Sequence, residues 1–373
     1  MRRTDAPLII LALVLLFNAA IATENDYKSV ILMEAVSGEI LFAENEHQPL
    51  PPASMVKMMT ELIVLEHVAT GEVSFDDQVE VSARASVMGG SQVYLKDGEV
   101  FSVHDLLQAL AIHSANDAAV ALAEHLAGSV EAFIELMNSR AAELNMNDSE
   151  FHFVHGLPPA YGQESDRSSA HDMALLGRQL ATHPEALEWA VMDQIPFRNG
   201  EFLLTNPNPL VGKYRGLEGI KTGFHSQAGF CLTASAVQKG IRLISVVMGA
   251  STNKARGRET TRLLTRGFNM YTRLTLVAAA NDPLPDMATV KAGEKREIGL
   301  VYGSELIVGV RKDLSDGVRL EHRLPEKLEA PLKAGDVVGT AVAVVDGKVL
   351  GEVSVLVTED VARGSFLQRL MNR

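Results

Sequence analysis

From Ala53 to Thr70 the sequence reads ASMVKMMTELIVLEHVAT, and Gly71 follows as a helix stop. Met55, Met58, Met59, Leu62, Ile63, Leu65 and Val68 cover nearly the whole circumference of the helix this spacing predicts. A helix apolar almost all round is stable only when buried. The remaining chain must therefore wrap this segment on every side. With 373 residues there is enough chain to do so and to build a second domain.

The neighbouring segments say what wraps it. Tyr27 to Leu32 and Ile40 to Ala43, separated by Val36-Ser37-Gly38-Glu39, read as a β-hairpin, and Pro51-Pro52 ends it. Val103 to Leu126, Val130 to Leu144 and Ser169 to Leu180 read as helices, with Gly156-Leu157-Pro158-Pro159 in a loop between the last two. Asn199-Gly200 is a hairpin turn signal. Phe230 to Ala236 and Ile241 to Met248 read as strands joined around Lys239-Gly240, and Arg262 to Leu274 returns to helix. Strand, helical block, strands and a closing helix make an α+β domain.

A boundary is expected at Ala280 to Asp286, where Asn281-Asp282-Pro283 and Pro285 cluster. Beyond it the sequence is β-rich, with turns at Gly293, Gly303, Gly317, Gly335 and Asp346-Gly347. Residues 359–373 are expected to close the chain as a short amphipathic helix with Phe366, Leu367, Leu370 and Met371 on one face. At the other end, Arg2 and Arg3, the apolar run Leu8 to Phe17 and the small residues of Ala20-Ile21-Ala22 make a secretory signal peptide, cleaved after Ala22. The expected layout is thus 1–22 signal peptide, 23–280 first domain, 281–358 β-rich domain and 359–373 terminal helix. The net charge of −13 gives no attraction to nucleic acid. The single cysteine, Cys231, lies in an apolar run and excludes an intramolecular disulfide.

Chemistry concentrates at three places. Ser54 and Lys57 share one face at the start of the buried helix. A serine hydroxyl needs a base to take its proton, and a lysine among apolar residues loses hydration and with it its preference for the charged form. Ser114-Ala115-Asn116 can present a hydroxyl and an amide to one cleft if it forms a turn between helices; as a lone tripeptide it reads rather as a helix cap. Lys221-Thr222-Gly223 leads into a β-rich run, where Lys and Thr can bind an anionic group and Gly lets a ligand backbone lie close.

The order S-x-x-K, S-x-N, K-T-G resembles that of penicillin-binding proteins and serine β-lactamases. Pro52-Ala53-Ser54, Gly89-Gly90-Ser91, Ser114 to Ala118, His155-Gly156-Leu157, Ile220 to Phe224 and Arg242 to Gly249 extend the resemblance, which is to the low-molecular-mass D,D-carboxypeptidases. It implies a β-lactamase/transpeptidase-like catalytic domain, a sheet flanked by helices plus a helical lobe, followed by a smaller β-rich domain. It also implies a reaction: removal of the last D-alanine from peptidoglycan stem peptides ending in D-Ala-D-Ala. Ser54 would be the nucleophile and Lys57 its base, and Ser114 and Lys221 would return the proton to the leaving amine. The backbone N–H groups of Ser54 and Phe224 would form the oxyanion hole, Asn116 would hold a substrate carbonyl, Gly223 would admit the substrate backbone, and Thr222 and Arg256 would take the terminal carboxylate. β-Lactams would be covalent inhibitors, the terminal helix would touch a membrane peripherally, and the enzyme would work in the periplasm or on the periplasmic face of a bacterial inner membrane. No cofactor or metal is implied.

Phe224 departs from the resemblance, since several relatives carry histidine there. Glu143-Leu144-Asn145 is one residue short of the E-x-L-N piece of class A β-lactamases and reads as a helix end. His152 and His155 lack the H-E-x-x-H context of a zinc helix. A β-lactamase, a D,D-endopeptidase using the same residues, and a penicillin-binding sensor stay open as alternatives.

Overall fold

The computed structural model describes residues 26–366, so the expected signal peptide lies outside the described residues. In chain order the first region comprises β1 (Ser29–Glu34), β2 (Ile40–Glu44), α1 (Lys57–Thr70), β3 (Gln78–Glu80), α2 (Ala83–Ser86), β4 (Val100–Ser102), α3 (Val103–Ile112), α4 (Asn116–Ala127), α5 (Val130–Glu143), α6 (Ala170–Leu180), α7 (Pro184–Ala190), β5 (Gln194–Phe197), β6 (Phe202–Thr205), β7 (Leu217–His225), β8 (Gly229–Gln238), β9 (Ile241–Ala250) and α8 (Asn253–Met270). Five strands pair antiparallel in the order β2-β1-β9-β8-β7. Helix α8 covers one face of this sheet and α6 the other.

Helix α1 runs beneath α6 and against α3, α4 and α5. Lys57 through Leu65 are all buried, as the all-round apolar pattern requires. Its first turn, Ala53–Val56, is a 3₁₀ helix, and Gly71 ends α1 at φ 78°, a left-handed cap that costs glycine nothing. The helix expected over Val103 to Leu126 is two helices, α3 and α4, because Ser114 sits at φ 65°, a conformation that cannot propagate a right-handed helix. Lys239 (φ 57°) and Gly240 (φ 77°) form the expected tight turn between β8 and β9, and Asn199-Gly200 lies in the β5–β6 hairpin.

The expected helix over Arg262 to Leu274 is corrected at both ends. It begins at Asn253, where the Thr252 side chain accepts from the Ala255 N–H, and it stops at Met270. The chain then enters β10 (Tyr271–Val277), which pairs with a later strand. The β-rich region therefore takes in residues ahead of the Asn281–Asp286 turn cluster. It continues with β11 (Ala288–Lys291), β12 (Glu297–Ile298), β13 (Leu300–Tyr302), β14 (Leu306–Arg311), β15 (Arg319–Arg323), β16 (Leu328–Glu329), β17 (Val337–Val345) and β18 (Lys348–Val357). Strand β10 pairs with β14, β11 with β12 and β16, and β13-β18-β17-β15 form a four-stranded sheet. A separate core including Val290, Ile298, Val308, Ala341 and Val355 holds this region together. Residues 359–365 are not the expected helix: Val361 and Arg363 make isolated bridges to Leu332 and Gly293. Past Phe366 the expected helix lies outside the described residues. No helix among the described residues is long and apolar enough to cross a membrane.

Candidate active site

The first turn of α1, the α3–α4 turn and the edge strand β7 converge on a cleft of about 260 Å³ lined by Ser54, Ser91, Ser114, Thr222, Phe224 and Arg256, among others. Close packing of backbone brings these elements together. A Cβ on Gly156 would lie 2.0 Å from the Ala53 carbonyl oxygen, and one on Gly223 would lie 2.5 Å from that of Pro52 and 3.2 Å from the Ser54 nitrogen. Only glycine lets the 155–157 loop and β7 press against the turn that carries Ser54. Ala53, at φ 51°, and Ser114, at φ 65°, hold left-handed conformations on either side of the cleft. Such strained backbone clusters at functional sites.

Ser54 is partly exposed at the floor of the cleft, and Lys57 is wholly buried behind it. Lys57 Nζ lies 3.1 Å from Ser54 Oγ and donates to the His155 carbonyl at 2.7 Å. Burial, reinforced by the charge of Lys221, drives the Lys57 pKa well below that of an ordinary lysine. Lys57 can thus be neutral and accept the Ser54 proton, held in place by a carbonyl that needs no charge. The His155 ring stays neutral, pushed down to about 3 by burial and by Lys57, and its Nδ1 accepts the Leu157 N–H.

Asn116 is buried; its Nδ2 donates to the Gly89 carbonyl at 2.7 Å and its N–H to the Ser91 carbonyl at 2.8 Å. The Oδ1 of Asn116 and the Oγ of Ser114 are buried without a protein partner. Unsatisfied buried polar atoms at a cleft are hydrogen-bonding capacity held for a ligand or water. Asp117 accepts from the N–H groups of Val93 and Leu95, tying the segment after Gly89-Gly90-Ser91 to the start of α4.

Lys221 is buried on the α1 side of β7, and its pKa is pushed down to about 8, chiefly by burial and against the pull of Glu61. Thr222 and Phe224 alternate onto the opposite, α8 side with Arg256, which is only 3 % exposed. Arg256 donates to the Cys231 carbonyl at 3.1 Å and to Asn253 Oδ1 at 2.7 Å, while its Nε, buried, has no partner. Arg256 is therefore a buried wall of the cleft, not a solvated surface charge. Ser54, Ser114, Thr222, Gly223, Phe224 and Arg256 line the cleft, whereas Lys57, Asn116 and Lys221 stand behind that lining.

Three features escaped sequence reasoning. The His155 carbonyl that holds Lys57 comes from a backbone atom and leaves no residue-type signal. Glu61, one turn after Lys57, is a buried carboxyl with one unpartnered oxygen, and a glutamate inside an apolar run was its signal. Ser91 donates to the His113 carbonyl at 2.7 Å and joins the cleft wall.

A family model described as D-alanyl-D-alanine carboxypeptidase matches residues 17–252, and one described as penicillin-binding protein 5, C-terminal domain, matches residues 273–363. The D-alanyl-D-alanine carboxypeptidase DacF of Bacillus subtilis is 35% identical over 348 residues, 92% of this chain and 88% of the relative. Penicillin binding protein 5 from Haemophilus influenzae superposes with a TM-score of 0.65 at 32% identity, covering 91% of this chain and 98% of that one. Penicillin-binding protein D2 from Listeria monocytogenes, solved in its ampicillin-bound form, superposes with a TM-score of 0.59 at 33% identity, over 65% of this chain and 97% of that one. Likeness on this scale covers both regions of the molecule and the strands and helices that frame the cleft, and the chain belongs to the D-alanyl-D-alanine carboxypeptidase family of serine hydrolases.

Proposed function

We propose that the protein removes the terminal D-alanine from peptidoglycan stem peptides ending in D-Ala-D-Ala, through an ester on Ser54. The observation that carries this reading is the fully buried Lys57 amine 3.1 Å from the Ser54 hydroxyl. Lys57 Nζ takes the hydroxyl proton as Ser54 Oγ attacks the carbonyl of the penultimate D-alanine. The N–H groups of Ser54 and Phe224 face the developing oxyanion, and losing such a donor typically slows reaction roughly a hundredfold or more. The peptide bond breaks, Ser114 and Lys221 hand the proton to the departing amine of D-alanine, and water then hydrolyses the ester. Thr222 and the planar fork of Arg256 take the terminal carboxylate, Asn116 the peptide carbonyl, and Gly223 leaves room for the backbone beside the free edge of β7. The ampicillin-bound Listeria relative supports β-lactams as acylating inhibitors of the same serine.

The sequence pattern of residues 1–22 supports action outside the cytoplasm, in the periplasm or at the periplasmic face of a bacterial inner membrane. Peripheral membrane contact through the end of the chain is supported by Phe366, which is 76 % exposed. The reaction is tested by D-alanine release from diacetyl-Lys-D-Ala-D-Ala, with the protein lacking residues 1–22 and with its Ser54→Ala variant. Release by the first alone establishes reaction and nucleophile together. Penicillin labelling of Ser54 without release would favour a sensor or an endopeptidase, and absence of labelling would sink the acyl-enzyme.

A further inference from the structure

We propose that the stacked pair Phe224–Phe230 is a subsite for the side chain of the substrate's last residue, so that the enzyme accepts terminal D-residues with apolar side chains larger than a methyl group. The inference rests on the carboxylate assignment to Thr222 and Arg256 made above.

Strand β7 sorts its side chains between two faces. Lys221 and Gly223 turn toward the first turn of α1; Thr222 and Phe224 turn toward α8 and Arg256. Phe224 sits directly opposite Phe230 on β8, and the rings stack with centroids 4.1 Å apart and planes at 26°. Across strands such aromatic pairs are mutually fixing. Yet Phe224 remains 55 % exposed, whereas Thr222, on the same face of the strand, is 6 % exposed. A large apolar ring pinned in place but left open at a cleft mouth is a surface for a ligand.

Its position says which part of the ligand. The Arg256 guanidinium carbon is 5.7 Å from the Phe230 ring centroid, and both residues line the cleft with Ser54 and Thr222. A substrate whose carboxylate is held by Arg256 and Thr222, and whose scissile carbonyl is at Ser54, has its last Cα between those points. The side chain on that carbon is the one nearest the stacked rings. The methyl of D-alanine leaves most of the exposed face of Phe224 bare, and a larger apolar side chain would cover it.

The test measures kcat/KM for release of the last residue from diacetyl-Lys-D-Ala-D-Xaa, with Xaa as D-Ala and D-Leu, for the wild-type protein and for Phe224→Ala and Phe230→Ala. One apolar group is worth roughly tenfold at the low end in a pocket, the end suited to an open shelf. The wild-type protein is expected to cleave the D-Leu peptide at least as well as the D-Ala peptide. The D-Leu to D-Ala ratio should fall by about tenfold in each variant, with Phe224→Tyr restoring it. A wild-type protein that rejects D-Leu overturns the proposal without recourse to any variant. So does a ratio that fails to move in variants whose Ser54 is still labelled by penicillin. Release of D-alanine with an unmoved ratio sinks the subsite and leaves the carboxypeptidase reading intact; no release from either peptide sinks both.

Discussion

Beside Ser54, the Lys57 amine is out of water on every side, and Lys221 adds a second positive charge to the same interior. Both effects favour the neutral amine, and the group must be neutral to take the Ser54 proton. In the proposed mechanism Lys221, held down to about 8, must carry its proton to return one to the leaving amine. The pH profile of kcat/KM is therefore expected to rise on its acid side as Lys57 deprotonates, and to fall above about 8 as Lys221 does. In Lys221→Arg, whose guanidinium does not titrate in this range, the alkaline limb should disappear at a reduced maximal rate. A limb unchanged in that variant would assign it to another group. Glu61 carries a different pH effect. Burial raises its carboxyl from 4.5 to about 8. The folded protein thus keeps a proton that the unfolded chain releases, so stability from this site is present at low pH and is lost as pH rises from about 4.5 to 8. At roughly 1.4 kcal/mol per unit of pKa, Glu61→Gln should stabilise the fold by a few kcal/mol at pH 8 and hardly at all at pH 5. Urea denaturation at the two pH values measures the difference, and equal gains at both would refute it.

Among the elements, the loop carrying His155 and Gly156 touches the proposed base through its backbone, the His155 carbonyl accepting from Lys57. Gly156 sits at φ 74° with no room for a Cβ beside the Ala53 carbonyl. Gly156→Ala combines left-handed strain of about 1–2 kcal/mol with overpacking of about 1–3 kcal/mol. It should also lift the His155 carbonyl away from Lys57. The expected outcome is a lower melting temperature together with slower acylation of Ser54 by penicillin, followed by stopped-flow fluorescence. A melting shift with the acylation rate intact would detach the loop from catalysis. This pairing also marks what the sequence could convey. Helix α1 and the three motifs were legible because spacing along one short segment decides them. The burial of Arg256 was not, because it follows from how α8 lies over β7 and β8. The break at Ser114, which the sequence left open between turn and cap, and the end of α8 at Met270 were undecided or unread for a related reason. Leu and Ala favour helix through Val103 to Leu126, and only packing fixes Ser114 at positive φ. Tyr271 to Val277 becomes a strand because β14, from a later stretch of sequence, pairs with it.

Over the whole molecule, every lining residue of the cleft comes from Ser54 to Arg256, while the β-rich region has a core of its own. The two meet at few points. Lys239 Nζ, at the β8–β9 turn, donates to the carbonyls of Phe268 at 2.6 Å and Tyr271 at 2.7 Å, closing the C-terminal end of α8 where a cation is favoured. Arg311 on β14 pairs with Glu39 at 2.5 Å. Beside them is a cavity of about 210 Å³ whose lining includes Val36, Ile241, Tyr271, Ile307 and Val349. Gly309 lies at the tightest contact: a Cβ there would come 2.5 Å from Ile241 Cγ1 and 2.7 Å from the Lys239 carbonyl oxygen. A larger residue at Gly309 is therefore a wedge between the regions, placed far along the chain from every residue of the cleft. Its cost should fall mainly on their association, about 1–3 kcal/mol for overpacking of this kind, because the contact joins Gly309 to Ile241 at the rim of the first region's core. In scanning calorimetry the wild-type protein is expected to unfold in one transition and Gly309→Val in two. D-alanine release should be the same for both proteins, since the cleft is framed wholly by the first region. If the wedge slowed release, the β-rich region would be acting on the cleft, either through β10 and α8 or through the Glu39–Arg311 and Ile241–Gly309 contacts.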